Sequence, residues 1–123
     1  MRVIIAGGRD FQNYNFLKEK VVDAFSQISN FNRNELEIVC GKARGADALG
    51  ELFARKNNVN IKYFPADWSQ GKLAGYFRNT QMALYAKEDN GVLIAFWDNV
   101  SRGTEHMIFT AHKHNLKVFV YNY

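Results

Sequence analysis

The sequence has one cysteine and one proline among its 123 residues, and neither a long apolar run nor a block of like charge. Cys40 alone cannot close an internal disulfide, which fits a reducing compartment. Pro65 is the single proline, and no Ser/Gly-rich or low-complexity stretch marks a linker, so one domain over residues 1–123 is expected. No apolar run approaches the roughly 20 residues of a membrane span, and no membrane partner is expected. The opening residues, MRVIIAGGRD, offer too short an apolar stretch for a secretory signal. The expected location is the cytoplasm.

What is present is enough for a core: 47% of the residues are hydrophobic and 15% aromatic. A chain of this size buries roughly two-thirds of its unfolded surface without staples. The net charge is +4, from 16 Lys+Arg against 12 Asp+Glu, but the excess is dispersed. A DNA-binding module needs a contiguous basic face, which this pattern does not show, so nucleic acid is not the expected partner. An anionic small ligand suits the basic bias.

Five β-type runs, Val3–Ala6, Leu36–Cys40, Ile61–Phe64, Val92–Trp97 and Val118–Tyr121, alternate with four helix-like stretches. The runs are continuous rather than alternating, which predicts burial on both faces of a parallel sheet. Helical spacing relates Leu17, Val21, Phe25 and Ile28, then Leu49, Leu52 and Phe53. Phe77, Gln81, Leu84 and Tyr85 offer a third stripe, and Met107, Ile108 and Ala111 a fourth. This βαβαβαβαβ order predicts a three-layer α/β/α sandwich with a five-stranded parallel sheet in the order 3-2-1-4-5. Ligands of such sheets bind beyond the carboxyl ends of the strands, here between strands one and four.

The unusual residues fall on that edge. Strand one runs into Gly7, Gly8, Arg9 and Asp10, and strand two into Gly41, Lys42, Arg44, Gly45 and Asp47. Asp67 and Trp68 follow strand three; Asp98, Ser101, Arg102, Gly103, Thr104 and Glu105 follow strand four. Each has a plain reading and a functional one. Gly7 and Gly8 make a tight turn or let a ligand reach the backbone. Gly41–Asp47 starts a helix or cradles phosphate on its amides. Ser101 or Thr104 is an N-cap, or its hydroxyl holds phosphate or ribose. Trp97 packs, or stacks on a base.

Known phosphate loops do not fit: no G-x-x-x-x-G-K-[ST] is present, and Ala46 rather than arginine stands where a C-x5-R loop needs it. Cys40 reads as a small buried residue. His106, His112 and His114 have spacings that put them on different faces of a helix, so no metal site and no metal cofactor are expected.

Five motifs in order, I-I-A-G-G-R-D-F, G-x-A-R-G-A-D, F-P-A-D-W, G-K-x-A-G-x-x-R-N-x-x-M and R-G-T, carry a resemblance that runs nearly end to end. The chain resembles the SLOG superfamily of Rossmann-like nucleotide-binding proteins, in its YspA/cpYpsA-related branch. The resemblance implies a nucleotide or nucleotide-derived ligand, bound for sensing or sequestration. It also brings in relatives that self-associate, relatives that bind DNA, and relatives found in phages and mobile elements. A homo-oligomer is expected on that ground, and a host cell's cytoplasm if the chain is phage-encoded.

LONELY GUY phosphoribohydrolases are more distant relatives that cleave the base from a nucleoside monophosphate. Arg78, with Asn79 beside it, matches their helix-three arginine. Their P-G-G-x-G-T-x-x-E ends in a glutamate that assists cleavage; here Gly103 and Thr104 match, but Met107 stands at the glutamate position. Glu105 lies two residues earlier, about 200° around a helix. Binding is therefore the expected function, with Gly7, Gly8, Arg9, Asp10, Gly41, Lys42, Arg44, Gly45, Asp47, Asp67, Arg78, Asn79, Trp97, Ser101, Arg102, Gly103 and Thr104 as ligand contacts. The alternative is an N-glycosidic hydrolase with Glu105 or Asp98 as acid/base and Arg78 on the phosphate.

Overall fold

A computed structural model describes residues 1–123. The strands β1 (Arg2–Gly7), β2 (Glu37–Cys40), β3 (Asn60–Tyr63), β4 (Val92–Trp97) and β5 (Lys117–Asn122) form one parallel sheet in the order β3-β2-β1-β4-β5. This is the doubly wound, Rossmann-like arrangement expected from the apolar runs. Ile4 sits in register with Val39 on one side and Leu93 on the other, so β1 is central. The helices α1 (Tyr14–Ser26), α2 (Ala46–Lys56), α3 (Ala74–Lys87) and α4 (Arg102–Lys113) connect successive strands. None is long and apolar enough to cross a membrane.

Because side chains alternate along a strand, β1 feeds two separate cores. Val3 and Ile5 join Leu17 and Val21 of α1 and Phe53 of α2 on one face. Ile4 and Ala6 join Met82 of α3 and Met107 of α4 on the other. Two-sided burial holds for β1, β2 and β4, but not for the outer strands. Only Ile61 of β3 is even partly buried, and β5 is exposed at Lys117, Val120 and Asn122. An edge strand has a neighbour on one side only, and its lysines and asparagine face water.

Helix α3 turns a different face inward from the one its large residues mark. Phe77 is 50% and Leu84 48% exposed, Gln81 is exposed, and Tyr85 is only half-buried. The buried face is Ala74, Arg78, Asn79, Met82, Ala83 and Ala86. Alanines let the helix lie close on the sheet, and the inward arginine and asparagine find partners there. Asn90, with φ +49°, closes the turn between α3 and β4.

Candidate functional site

The loops after β1, β2 and β4 meet the start of α3 beyond the carboxyl edge of the sheet. They enclose a cleft of about 600 Å³ lined by Gly7, Gly8, Arg9, Asp10, Asp47, Arg78, Asn79, Asp98, Ser101, Gly103 and Thr104. Eleven sequence-predicted residues thus share one wall system. A side pocket of about 270 Å³ opens beside it, lined by Arg9, Gly41, Lys42, Arg44 and Arg78 together with Pro65, Ala66 and Trp68. A third hollow, about 680 Å³ beneath Asp10–Phe16 and Tyr123, carries no cation. Size alone does not mark a phosphate site.

Arg78 is the centre of the arrangement, 8% exposed and lining both the cleft and the side pocket. Its Nη1 donates to the Gly41 carbonyl and its Nε to Asn79 Oδ1 at 3.1 Å, while Nη2 has no partner in the chain. Burial lowers the Arg78 pKa, and the Asp47 carboxylate opposes that. Arginine stays charged through such shifts. A Cβ on Gly75 would stand 3.9 Å from Nη2, an ordinary contact distance, so Gly75 borders the free nitrogen.

Asp47 faces the same space from the first turn of α2, 5% exposed, with Oδ2 accepting from the Ala43 amide at 3.2 Å. Burial pushes its pKa up to about 6, against the pull of Arg78, the Ala43 hydrogen bond and Arg9. Asp98 is the opposite case. Its Oδ1 accepts from the amides of Ser101 at 2.8 Å and Val100 at 2.9 Å, which hold it below the usual carboxylate range.

Asn79 connects Arg78 to the other wall. Its Nδ2 reaches the Gly103 carbonyl at 3.4 Å and lies 3.2 Å from His106 Nδ1. Tyr76 stacks on the His106 ring at 4.2 Å. Burial lowers the His106 pKa, which favours the neutral ring that can accept from Asn79. At the head of α4, Ser101 Oγ accepts from the Thr104 amide at 3.4 Å and lies 3.1 Å from Thr104 Oγ1. Ser101 is therefore an N-cap, and both hydroxyls remain on the cleft wall.

Four of the predicted glycines serve the protein's own packing, and a Cβ on Gly7 would meet the Phe96 carbonyl and one on Gly8 the Tyr123 hydroxyl. A Cβ on Gly41 would stand 2.6 Å from Arg78 Nη1 and 2.7 Å from Asp47 Oδ2. Gly45 has φ +75°, and its missing side chain admits the Gly8 carbonyl and the Arg9 backbone. The predicted close approach is real, but neighbouring residues make it. Gly103 differs: it lines the cleft, and a Cβ there would meet nothing within 4 Å.

Several predicted residues lie away from the cleft wall. Trp97 is half-buried and donates its indole N–H to the Ser101 carbonyl at 3.0 Å, so it braces the loop from behind. Asp67 caps the short 3-10 turn Trp68–Gln70, accepting from the Ser69 amide and hydroxyl. Arg102 and Glu105 are exposed on α4 and line neither space. Lys42 lines the side pocket but also pairs with Glu51 at 3.2 Å. Arg55, then Tyr63 and Lys42, bond the Glu51 carboxylate and hold it down to about 2, while partial burial opposes them. Cys40 is buried beside this loop as expected, with burial pushing its thiol up to about 11.

Sequence reasoning left Lys72, Leu73, Gly75, Tyr76, Met82 and Met107 out of the site, yet all line the cleft. The G-K-x-A-G-x-x-R-N-x-x-M run held the signal for five of them, since Lys72, Gly75 and Met82 stand at its fixed positions and Leu73 and Tyr76 lie inside it.

A parallel sheet in this order, with a charged cleft at its switch point, defines a Rossmann-like α/β domain, an architecture whose ligands as a class bind at this edge. The chain belongs to the YspA, cpYpsA-related SLOG family, whose model matches residues 1–71. The match covers β1 through the turn after β3; α3, with Arg78, lies beyond it. Neither a curated protein nor a solved structure matches the chain.

Proposed function

We propose that this domain binds a nucleotide or nucleotide-derived small molecule in the cleft and releases it unchanged, as a sensing or sequestering module. The observation that carries the reading is Arg78: its guanidinium is locked by internal bonds on two nitrogens and free on the third, at the junction of the two spaces. A charged nitrogen held in place in this way suits a charge-assisted bond to a phosphate oxygen. Apolar and aromatic walls from Leu73, Tyr76, Met82 and Met107 suit a base. Family membership supports a nucleotide-related ligand at this level.

What stands at Met107, Glu105 and Asp98, the positions the hydrolytic alternative depends on, supports release without cleavage. Met107 lines the cleft with a thioether, and Glu105 is exposed on the far side of α4's first turn. Asp98 is kept ionised by two amides, which weakens it as a base near neutral pH.

Titration calorimetry with the common nucleoside monophosphates tests the reading, alongside Gly103→Phe. A Cβ at Gly103 meets no neighbour within 4 Å, so the variant folds, and a ring on this stretch of the cleft wall should weaken binding at least tenfold. Chromatography of the recovered ligand should show no free base after hours of incubation. No binding by any nucleotide, or equal binding by Gly103→Phe, sinks the proposal; free base accumulating sinks the claim of intact release.

A further inference from the structure

The cleft and its side pocket differ in charge. Arg9, Lys72 and Arg78 line the cleft, but so do the carboxyl groups of Asp10, Asp47 and Asp98. The side pocket is lined by Arg9, Lys42, Arg44 and Arg78 with no carboxylate at all. Lys42 is tied to Glu51, and Arg78 to the Gly41 carbonyl. Arg9 and Arg44 form no ion pair within the chain, and Arg9 lies over the Trp68 ring at 5.7 Å. Arg9 and Arg78 repel each other across this space, and an anion entering it relieves that repulsion.

Size fixes what kind of anion. At about 270 Å³ the side pocket falls below the roughly 300–1,000 Å³ of sites that hold whole small ligands. It suits one compact group, and the space adjoining it is the cleft. Arg78 lines both, so a group bound at its free Nη2 stands at the passage between them.

We infer that the ligand carries at least two linked phosphates, the first at Arg78 and the second in the side pocket between Arg9 and Arg44. The inference rests on the nucleotide reading above and narrows it to diphosphates and their derivatives. The nucleoside end lies in the cleft, where acids and apolar walls balance the cations; the distal phosphate lies where only cations stand. Arginine forks on both sides suit the tetrahedral oxygens of a terminal phosphate. Both Arg9 and Arg44 are exposed, so the added affinity is screened by salt.

The experiment compares each of the four common ribonucleoside monophosphates with its diphosphate by calorimetry at low and at physiological salt. Wild-type protein should bind at least one diphosphate ten or more times tighter than its monophosphate, with the ratio shrinking as salt rises. Arg44→Ala should bring that ratio below threefold. Lys72→Ala, in the cleft wall outside the side pocket, should weaken both ligands and leave the ratio above fivefold. Monophosphate binding without a diphosphate advantage overturns this inference and leaves the nucleotide reading standing. An advantage that survives Arg44→Ala and Arg9→Ala also overturns it, since the second phosphate then lies elsewhere. If neither class binds, both proposals fall together.

Discussion

Asp47→Asn isolates the cost of burying a carboxyl group at the base of the site. Asp47 is 5% exposed, and burial raises its pKa from about 3.8 to about 6. The folded state therefore holds a proton that the unfolded state has already released between about pH 4 and pH 6. Stability from this group is complete below pH 4 and is lost as pH rises through 6. That rise corresponds to about 3 kcal/mol.

Asparagine keeps an oxygen to accept from the Ala43 amide, bonded at 3.2 Å in the wild type, but never ionises. The other acids titrate in both proteins and cancel in the difference. Urea denaturation from pH 4 to pH 8 should show Asp47→Asn gaining about 3 kcal/mol on the wild type across that range, mostly between pH 4 and 6. Parallel profiles would refute burial as the dominant influence. A variant that loses ground as pH rises would show that attraction to Arg78 and Arg9 outweighs it. A phosphate seated near Asp47 disfavours the carboxylate further, so nucleotide affinity should also fall as pH rises from 5 to 7.

Gly45→Ala places a methyl group onto the Gly8 carbonyl at a backbone angle of φ +75°. It should cost about 2–4 kcal/mol by urea denaturation, and an unchanged midpoint would mean the two loops separate easily. On α3, Phe77→Ser should change stability by no more than about 0.5 kcal/mol because the ring is half exposed, whereas Met82→Ala at 1% exposure should cost about 2–5 kcal/mol. The reverse order would restore the face its large side chains predicted.

That helix shows where hydropathy reading stops. In β1, β2 and β4 the apolar runs carry the burial directly, and the strand order follows from the alternation of elements. In α3 burial follows fit against the sheet. Ala83 and Ala86 go inward because they are small, and Arg78 and Asn79 because Gly41 and Gly103 offer them carbonyls. Those carbonyls belong to loops distant in sequence, so no local pattern announces them. The loops themselves were legible, since glycine, arginine and aspartate seldom coincide after three strands without cause. What was not legible was the division of labour among them. Gly41 and Gly45 read like ligand contacts yet make room for Arg78 and for the Gly8 carbonyl, while Trp97 gives its polar edge to the loop it supports.

The two consecutive polar residues of α3 also bear on the rate of ligand exchange. Arg78 grips the carbonyl of Gly41 after β2, and Asn79 reaches the carbonyl of Gly103 after β4, so one helical turn holds opposite walls of the cleft. An outward swing of either wall must break its bond to α3 or carry the helix with it. Where the bonds hold, widening the mouth shifts the helix on its alanine bed, a collective motion slower than the flicker of a free loop. Residence time is thereby coupled to the packing beneath α3. A cavity made in the core beneath α3 and outside the cleft lining, as by Leu93→Ala, should hasten dissociation even where it leaves every ligand contact in place.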